Sequence, residues 1–220
     1  MSESSSKRKN RGLARWMVGA AVMCILFLLA TALMSTAAMA WPNPLPTGSV
    51  GTDSNPEYVC VQGGFAYVVN WSSNTLQVFD ISDPALPSFE GSTGTGNNPS
   101  SVCVQGSYAY VTNYSSNTLQ VFDVSDPTSP ALVSLPGTGG TGNIPNSVWV
   151  KGGYAYVVNS GSNTLQVFDV SDPTSPTLAS LPGTGGTDNY PVSVCVRGSY
   201  AYVVNEDSNT LQVFDVSDPT

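Results

Sequence analysis

YAYVTNYSSNTLQVFDVSDPTSP, residues Tyr108–Pro130, decides the fold of this chain, because the sequence states it four times. The other copies are Phe65–Pro87, Tyr154–Pro176 and Tyr200–Thr220. A repeat period in the forties is typical of stacked supersecondary units, and among the standard repeats of this length only propeller blades are built purely from strands. The repetition therefore predicts an array of similar β-sheets.

Turn residues divide each repeat into four short strands. In the second copy they are predicted at Val102–Val104, Tyr108–Thr112, Thr118–Val124 and Ala131–Leu135. Sequential strands of this kind pair antiparallel as a meander. Apolar side chains point to both faces of the second and third strands, so each sheet is expected to be covered on both sides, as blades are when they pack between two neighbours.

The amino-acid sequence of the repeat also resembles that of a known family. The segments AYV and NTLQVFDVSDP resemble the LVIVD repeat, and Tyr110–Asn113 reads YVTN, the element that names the related YVTN propeller repeats. The resemblance covers Pro56–Thr220 and implies an all-β fold, a β-propeller of four-stranded antiparallel blades. These families supply propellers to exported and cell-surface proteins with few defined activities, and their members usually carry more than four blades.

The segment before the first repeat bears on how the ring would close. Pro44–Pro56 aligns without a gap on Pro87–Pro99, so it resembles a fourth strand. We therefore predict a closed four-blade ring in residues 41–220, with Pro44–Val50 as the outer strand of the last blade. The repeat units are then 56–98, 99–144, 145–190, and 191–220 plus 41–55. Half of an eight-blade dimer and a fragment of a longer propeller are the alternatives.

Residues 1–40 predict a secretory signal. Five basic residues lie between Lys7 and Arg15, an uncharged run from Trp16 follows, and the run closes on an A-x-A pattern at Ala38–Ala40. The run would also span a bilayer, which takes about 20 residues, so an uncleaved N-terminal membrane anchor is the alternative. Both interpretations place the repeats outside the cytoplasm, in a secreted, periplasmic or cell-surface protein.

The repeat region is strongly acidic. Residues 41–220 hold two basic residues, Lys151 and Arg197, and fourteen carboxylates, a net charge of −12. Nucleic acids and anionic membrane surfaces are bound by clusters of Lys and Arg. The charge therefore excludes a nucleic-acid partner and any membrane contact beyond the possible N-terminal anchor.

The residue inventory argues against several kinds of catalysis. The sequence has no histidine, which excludes a histidine base, a Ser-His-Asp triad and histidine metal ligands. Pairs of carboxylates in the repeated pattern F-D-x-S-D-P could ligate Ca²⁺, but Asp before Pro is also ordinary turn chemistry. Because the pair recurs in every copy, we predict a turn role, with no catalytic residue, metal or cofactor. The pairs are Asp80/Asp83, Asp123/Asp126, Asp169/Asp172 and Asp215/Asp218.

Three cysteines share one position of the repeat. They are Cys60, Cys103 and Cys195, and the third copy has Trp149 there. Buried free thiols that act as small apolar side chains are the favoured interpretation. A disulfide between neighbouring copies would need Cα atoms within about 7 Å, and an odd thiol in an exported protein leaves intermolecular pairing open.

Positions that differ between the copies indicate where a function would lie, because whatever the fold demands should recur in every blade. They fall in the turn between strands two and three and in the loop before strand one, which emerge at the same end of a meander. We predict a ligand-binding face there that carries Trp71, Tyr114 and Tyr190, with Glu206 and Asp207 making it locally acidic. Neutral drift in exposed loops is the alternative.

These observations predict an exported, non-enzymatic binding or scaffold module whose partner is a protein or a glycan, with a homodimer as a further possibility. The alternative is a propeller enzyme of lactonase or quinoprotein type that works without histidine. Such an enzyme would need charged residues gathered in one blade. The charged residues that do not repeat are scattered instead: Asp53, Glu57, Glu90, Lys151, Asp188, Arg197, Glu206 and Asp207.

Overall fold

The structure is a computed structural model that describes residues 45–134, 139–180 and 186–219. The chain divides into two compact units, Met1–Pro46 and Thr47–Thr220. The predicted signal or anchor, residues 1–40, lies outside the described residues. All regular structure in the described ranges is β-strand, and these ranges contain no helix with the length and apolar character needed to cross a membrane.

Fifteen strands in the described residues form four antiparallel sheets, named here blades 1 to 4. Blade 1 contains β1 (Pro56–Gln62), β2 (Phe65–Asn70), β3 (Thr75–Asp80) and β4 (Ser88–Gly94). Blade 2 contains β5 (Pro99–Gln105), β6 (Tyr108–Asn113), β7 (Thr118–Asp123) and β8 (Ala131–Leu132). Blade 3 contains β9 (Pro145–Lys151), β10 (Tyr154–Asn159), β11 (Thr164–Asp169) and β12 (Thr177–Ser180). Blade 4 contains β13 (Pro191–Arg197), β14 (Tyr200–Asn205) and β15 (Thr210–Asp215).

The strand order within every blade is the predicted meander. The first strand of blade 2 begins earlier than predicted, because Pro99 already pairs with Asn113 of β6. The pairing register shifts between Pro99 and Ser101. Its fourth strand is shorter than predicted, with Ala131 and Leu132 paired to β7. The predicted end of that strand, Leu135, lies outside the described residues.

Left-handed backbone positions explain why the strands end where they do. The turn between the first two strands holds a glycine at φ of about 60° in each blade, and the turn between strands two and three holds an asparagine at φ of 53–55°, a conformation that asparagine tolerates better than most residues. The glycines are Gly63, Gly106, Gly152 and Gly198, and the asparagines are Asn74, Asn117, Asn163 and Asn209.

In the described residues, the core consists of three apolar layers between consecutive blades and a smaller cluster of Ala66, Val68 and Phe79 in blade 1. Between blades 1 and 2, for example, Leu76 and Val78 pack in one cluster with Val102, Val111 and Phe122. Equivalent clusters lie between blades 2 and 3 and between blades 3 and 4. The prediction that a sheet is covered on both faces is therefore confirmed for blades 2 and 3. Blade 4 leaves one face exposed, and blade 1 exposes Val59 and Val61 of its first strand.

Closure of the ring by the N-terminal segment is not what the structure shows. Within the predicted strand Pro44–Val50, residues 45–50 are exposed and form no strand, and Pro44 lies outside the described residues. In the described residues, blade 4 has three strands. Residues 45–50 therefore do not pair with β15 of blade 4. A Cβ added at Gly48 would lie 2.6 Å from the carbonyl oxygens of Pro84 and Ala85, so this segment contacts a corner of blade 1.

Candidate binding face

A buried asparagine at the end of the second strand supports one end of each blade. In blade 1, the Asn70 amide donates to Thr75 Oγ1 at 3.1 Å and to Gln77 Oε1 at 3.0 Å. The same Gln77 oxygen accepts the backbone N–H of Asp53 at 2.9 Å. This network recurs around Asn113, Asn159 and Asn205. It ties the incoming loop to the sheet, so the loop has a fixed position in every blade.

Backbone hydrogen bonds place the variable turn beside the variable loop in each blade. The N–H of Trp71 donates to the Asn55 carbonyl at 2.7 Å, and the N–H of Glu206 donates to the Tyr190 carbonyl at 2.9 Å. Blades 2 and 3 make the equivalent bonds, Tyr114 to Asn98 and Ser160 to Ile144. The variable segments therefore share one end of the blades, as the meander predicts. We call this end the variable face.

Each of the three loops between consecutive blades is also anchored to the blade before it. The N–H of Asn98 donates to Asn74 Oδ1 at 2.7 Å, and the N–H of Tyr190 donates to Asn163 Oδ1 at 2.9 Å. The loop thus bridges two consecutive blades. Its side chains have defined positions, because the backbone on either side is held by hydrogen bonds.

The three aromatic residues predicted for the binding face form a chain of contacts. The rings of Trp71 and Tyr114 are tilted by 59° with centroids 5.0 Å apart, an arrangement that stabilises aromatic pairs. A hydrogen bond with the side chain of Tyr190 raises the pKa of Tyr114, and burial adds to that rise. The residues come from blade 1, blade 2 and the loop before blade 4, so only the tertiary structure brings them together. We call these three residues the aromatic cluster.

The residue before the first strand has a left-handed backbone in every repeat. Asn55 and Asn98 have φ of 55°, whereas Ile144 and Tyr190 have φ of 59° and 58°. Asparagine adopts this conformation readily, but it is strained for a β-branched or bulky side chain. Strained backbone is concentrated at functional sites, so Ile144 and Tyr190 are candidate functional positions on the variable face.

Ile144 is a residue that the sequence interpretation left out of the binding face. A Cβ added at Gly161 would lie 3.0 Å from the Ile144 Cδ1 atom, so this side chain covers the turn of blade 3. Its position directly before the repeated proline was the signal that could have identified it, because Tyr190 occupies the same position one repeat later.

The predicted acidic residues lie on the same face. Glu206 and Asp207 are exposed, and the Glu206 backbone is bonded to the Tyr190 carbonyl. The turn that carries these two carboxylates is therefore bonded to the Tyr190 backbone. The carboxylates would favour a cationic group over an anionic one.

Three of the charged residues that do not repeat have structural roles. Asp53 and Asp188 occupy equivalent positions, and their Oδ2 atoms accept the hydroxyls of Thr75 at 2.8 Å and Thr210 at 2.6 Å. Lys151 Nζ donates to the carbonyl of Gly198 in the next blade at 2.6 Å. These contacts hold loops and blades in place.

The repeated Asp-Pro corners show the predicted turn geometry. Asp80 Oδ1 accepts the Ser82 N–H at 2.7 Å, and Asp83 Oδ1 accepts the Ala85 N–H at 2.9 Å. The pKa of Asp80 is lowered by the hydrogen bonds that Ser82 donates. Within the described ranges, no group of three or more Cys, Asp or Glu side chains could hold a metal ion.

Two of the three repeated cysteines are neighbours across the interface of blades 1 and 2. Cys60 Sγ accepts the N–H of Val104 at 3.4 Å, and a hydrogen bond from the Cys103 thiol lowers the pKa of Cys60 to about 6. The same contact and burial raise the pKa of Cys103. All three of these cysteines are free; Cys60 and Cys103 are half-buried and Cys195 is exposed, which corrects the prediction of buried thiols.

Comparison with known families identifies the repeats. The LVIVD repeat matches residues 55–95, 96–135, 144–181 and 190–220. The chain therefore belongs to the LVIVD repeat family, and its sheets are blades of the β-propeller type, as the sequence predicted. No curated protein matches the sequence.

Solved structures resemble the chain in fold. The computationally designed protein Ika4 matches with a TM-score of 0.63 and 11% identity, over 80% of this chain and 100% of that protein. Hydrazine synthase of Kuenenia stuttgartiensis matches with a TM-score of 0.62, 18% identity, and coverage of 80% of this chain and 51% of that one. A putative 6-phosphogluconolactonase of Bacteroides uniformis matches with a TM-score of 0.62 and 19% identity, over 78% of this chain and 56% of that one. The chain thus spans about half the length of the two latter proteins, and these likenesses show the fold alone.

Proposed function

We propose that this protein is a non-enzymatic binding or scaffold module that works outside the cytoplasm and engages its partner with the variable face. The observation that carries the proposal is the aromatic cluster of Trp71, Tyr114 and Tyr190. Aromatic residues held by a rigid frame contribute large contact areas and lose little conformational entropy on binding. The fixed loops and the strained backbone at Tyr190 support the same site.

The charges around the cluster indicate the chemistry of the partner. Glu206 and Asp207 lie in the turn that is bonded to the Tyr190 backbone, and residues 41–220 carry two basic residues. A cationic segment would be attracted to carboxylates and could also stack on the aromatic rings. Hydroxyl-rich sugars stack on aromatic rings, and their hydroxyl groups donate hydrogen bonds to carboxylates. We therefore propose a basic protein segment or a glycan as the partner.

An enzyme of lactonase or quinoprotein type is the alternative. The structural roles of Asp53, Asp188 and Lys151 leave fewer isolated charged groups for catalysis. The fold likeness to a putative 6-phosphogluconolactonase carries no activity to this chain at 19% identity. These observations support binding over catalysis as the proposal to test first.

The test compares the wild-type chain with the combined variant Trp71→Ala, Tyr114→Ala and Tyr190→Ala. The probes are a lysine-rich peptide, a panel of neutral oligosaccharides and a bacterial envelope extract. Leu86→Ala is the control, because Leu86 is exposed at an Asp-Pro corner, away from the variable face. We expect the combined variant to lose binding and the control to keep it.

Two results would contradict the proposal. One is a partner whose affinity survives the combined variant but is lost when Asp123 or Asp126 is replaced by Ala. The other is hydrolysis of a simple lactone that disappears when Glu57, Glu90, Arg197, Glu206 or Asp207 is replaced. Far-UV circular dichroism of each variant separates loss of function from loss of fold.

A further inference from the structure

Blade 4 exposes a face that the preceding blade buries. Leu211 is 63% exposed, whereas its repeat equivalent Leu165 is 1% exposed and packed against blade 4. The same contrast holds across the whole face, which we call the blade 4 end face. Its residues are Tyr202, Val204, Leu211 and Val213, and their buried equivalents in blade 3 are Tyr156, Val158, Leu165 and Val167.

Blade 1 exposes the opposite half of the same interface. Val61 is 59% exposed, whereas its equivalent Val196 is 5% exposed and packed against blade 3. Val59 is likewise exposed, and its equivalent Val194 is buried. The exposed Val59 and Val61, together with their cross-strand partners Val68 and Ala66, form what we call the blade 1 end face. Val68 and Ala66 are each 9% exposed and cluster with Phe79.

We propose that the blade 4 end face of one chain docks on the blade 1 end face of a second copy, head to tail, and that two such contacts close a ring of eight blades. This contact repeats the layer that joins blade 3 to blade 4, so the two surfaces are complementary residue by residue. Apolar patches of this kind are seldom left exposed on soluble monomers and mark interaction surfaces. The occupant that fits is another blade of the same repeat.

A polar contact would accompany the apolar one. Gln62 Nε2 donates to the Gly106 carbonyl of the next blade at 2.7 Å, and Lys151 Nζ donates to Gly198. Arg197 is the equivalent residue of blade 4 and is exposed. Docking of a second copy places its Gly63 carbonyl, the equivalent of Gly106 and Gly198, where Arg197 can donate to it.

A second copy is favoured over closure of one chain on itself. The blade 4 end face and the first-strand residues Val59 and Val61 are exposed within the same chain, so the two end faces do not cover each other in this structure. Identical head-to-tail contacts produce either a closed ring or an open filament, depending on the rotation per subunit.

The segment before β1 would contribute to the partner copy. Gly48 lies on the corner Pro84–Pro87 of blade 1 in the way that Gly91 of β4 lies on the carbonyls of Pro127 and Thr128 in blade 2. Residues around Gly48 thus occupy the place of a fourth strand for whichever blade precedes blade 1. In the docked pair that blade is blade 4 of the second copy, whose β15 edge has no described neighbour.

Solution mass tests the proposal directly. The full chain in mild detergent is measured by light scattering after gel filtration, with detergent mass subtracted. We expect twice the mass of one chain for the wild type. We expect Leu211→Asp and Val61→Asp to weaken the dimer by more than about a hundredfold, because each would bury an unpaired carboxylate. The control Leu178→Asp, at an exposed position of β12 outside both end faces, should stay dimeric.

Mixing the two variants defines the geometry. Leu211→Asp retains the blade 1 end face and Val61→Asp retains the blade 4 end face, so together they should form a mixed dimer through the one intact contact. All variants share residues 1–40, so association through that segment would survive in every one of them. A monomeric wild type, larger polymers, a dimer that resists both substitutions, or no mixed dimer would each overturn the proposal.

A second pair of variants tests the contribution of the N-terminal segment. Gly48→Val should displace the segment from the corner and weaken the dimer about tenfold or more, because the added side chain meets backbone atoms. Gly51→Val is the matched control, because a Cβ there meets nothing within 4 Å. Equal dimer affinity in the two variants would overturn the proposed exchange of this segment.

Discussion

At the scale of single residues, the thiol of Cys60 offers a measurable consequence of blade packing. Hydrogen bonds from the Cys103 thiol and the Val104 N–H stabilise its thiolate, so its pKa falls from 9.0 to about 6. The alkylation rate of Cys60 with iodoacetamide should therefore be nearly flat above pH 7. The Cys103→Ala substitution should move the midpoint upward. Peptide mass spectrometry across a pH series measures both.

Cys195→Ser provides the control for that experiment, because Cys195 does not bond to Cys60. It should leave the midpoint of Cys60 unchanged. A Cys60 rate that still rises about tenfold per pH unit between pH 7 and 8 would contradict the prediction, since that slope belongs to a thiol whose pKa lies above this range.

At the scale of an element, the turn between the second and third strands depends on its buried asparagine. Asn113→Ala removes the amide that bonds Thr118 Oγ1 and Gln120 Oε1, and the Gln120 oxygen also holds the N–H of Gly96 in the incoming loop. We expect the free energy of unfolding to fall by about 1–3 kcal/mol. Urea denaturation measures the change.

Asn97→Ala is the matched control on the same face, because the Asn97 side chain is exposed. Its effect on the free energy of unfolding should stay within about 0.5 kcal/mol. If the two substitutions have equal effects, the hydrogen-bond network does not stabilise the turn.

At the scale of the whole molecule, equivalent positions should respond differently to the same change. Val158 is fully buried between blades 3 and 4, whereas its equivalent Val204 is 42% exposed. Val158→Asp should lower the free energy of unfolding by roughly 3–5 kcal/mol, since it buries an unpaired charge. Val204→Asp should cost less than about 0.5 kcal/mol, measured by thermal or urea unfolding at a concentration where the chain is monomeric.

Similar losses of stability in both variants would mean that blade 4 is covered within one chain. The comparison therefore tests whether the blades form an open arc, independently of any second copy. It also separates the role of the repeat sequence from the role of position, because Val158 and Val204 lie within the same local sequence YAYVVN.

The sequence by itself determined the repeat, the strand order, the turns and the sharing of one face by the variable segments. These features depend on neighbours within about 45 residues, so the alternation of apolar residues in TLQVFD and the Asp-Pro and Asn-Thr turns are enough to predict them. The observed strand bounds differ from the predicted ones by a few residues where strand pairing continues past a register shift, as at Pro99.

Only the tertiary structure decided what meets across blades and whether the ring closes. The contacts of Trp71 with Tyr114 and of Tyr114 with Tyr190, the strained Ile144 and the Cys60–Cys103 pair all depend on the rotation between blades. That rotation is set by how side chains fill each layer, and small differences per blade add up around the arc. The nearly identical repeats determine how two neighbouring blades pack, but they do not determine the total rotation over all the blades. For this reason the sequence predicted a four-blade ring closed by Pro44–Val50, whereas the structure is an open arc.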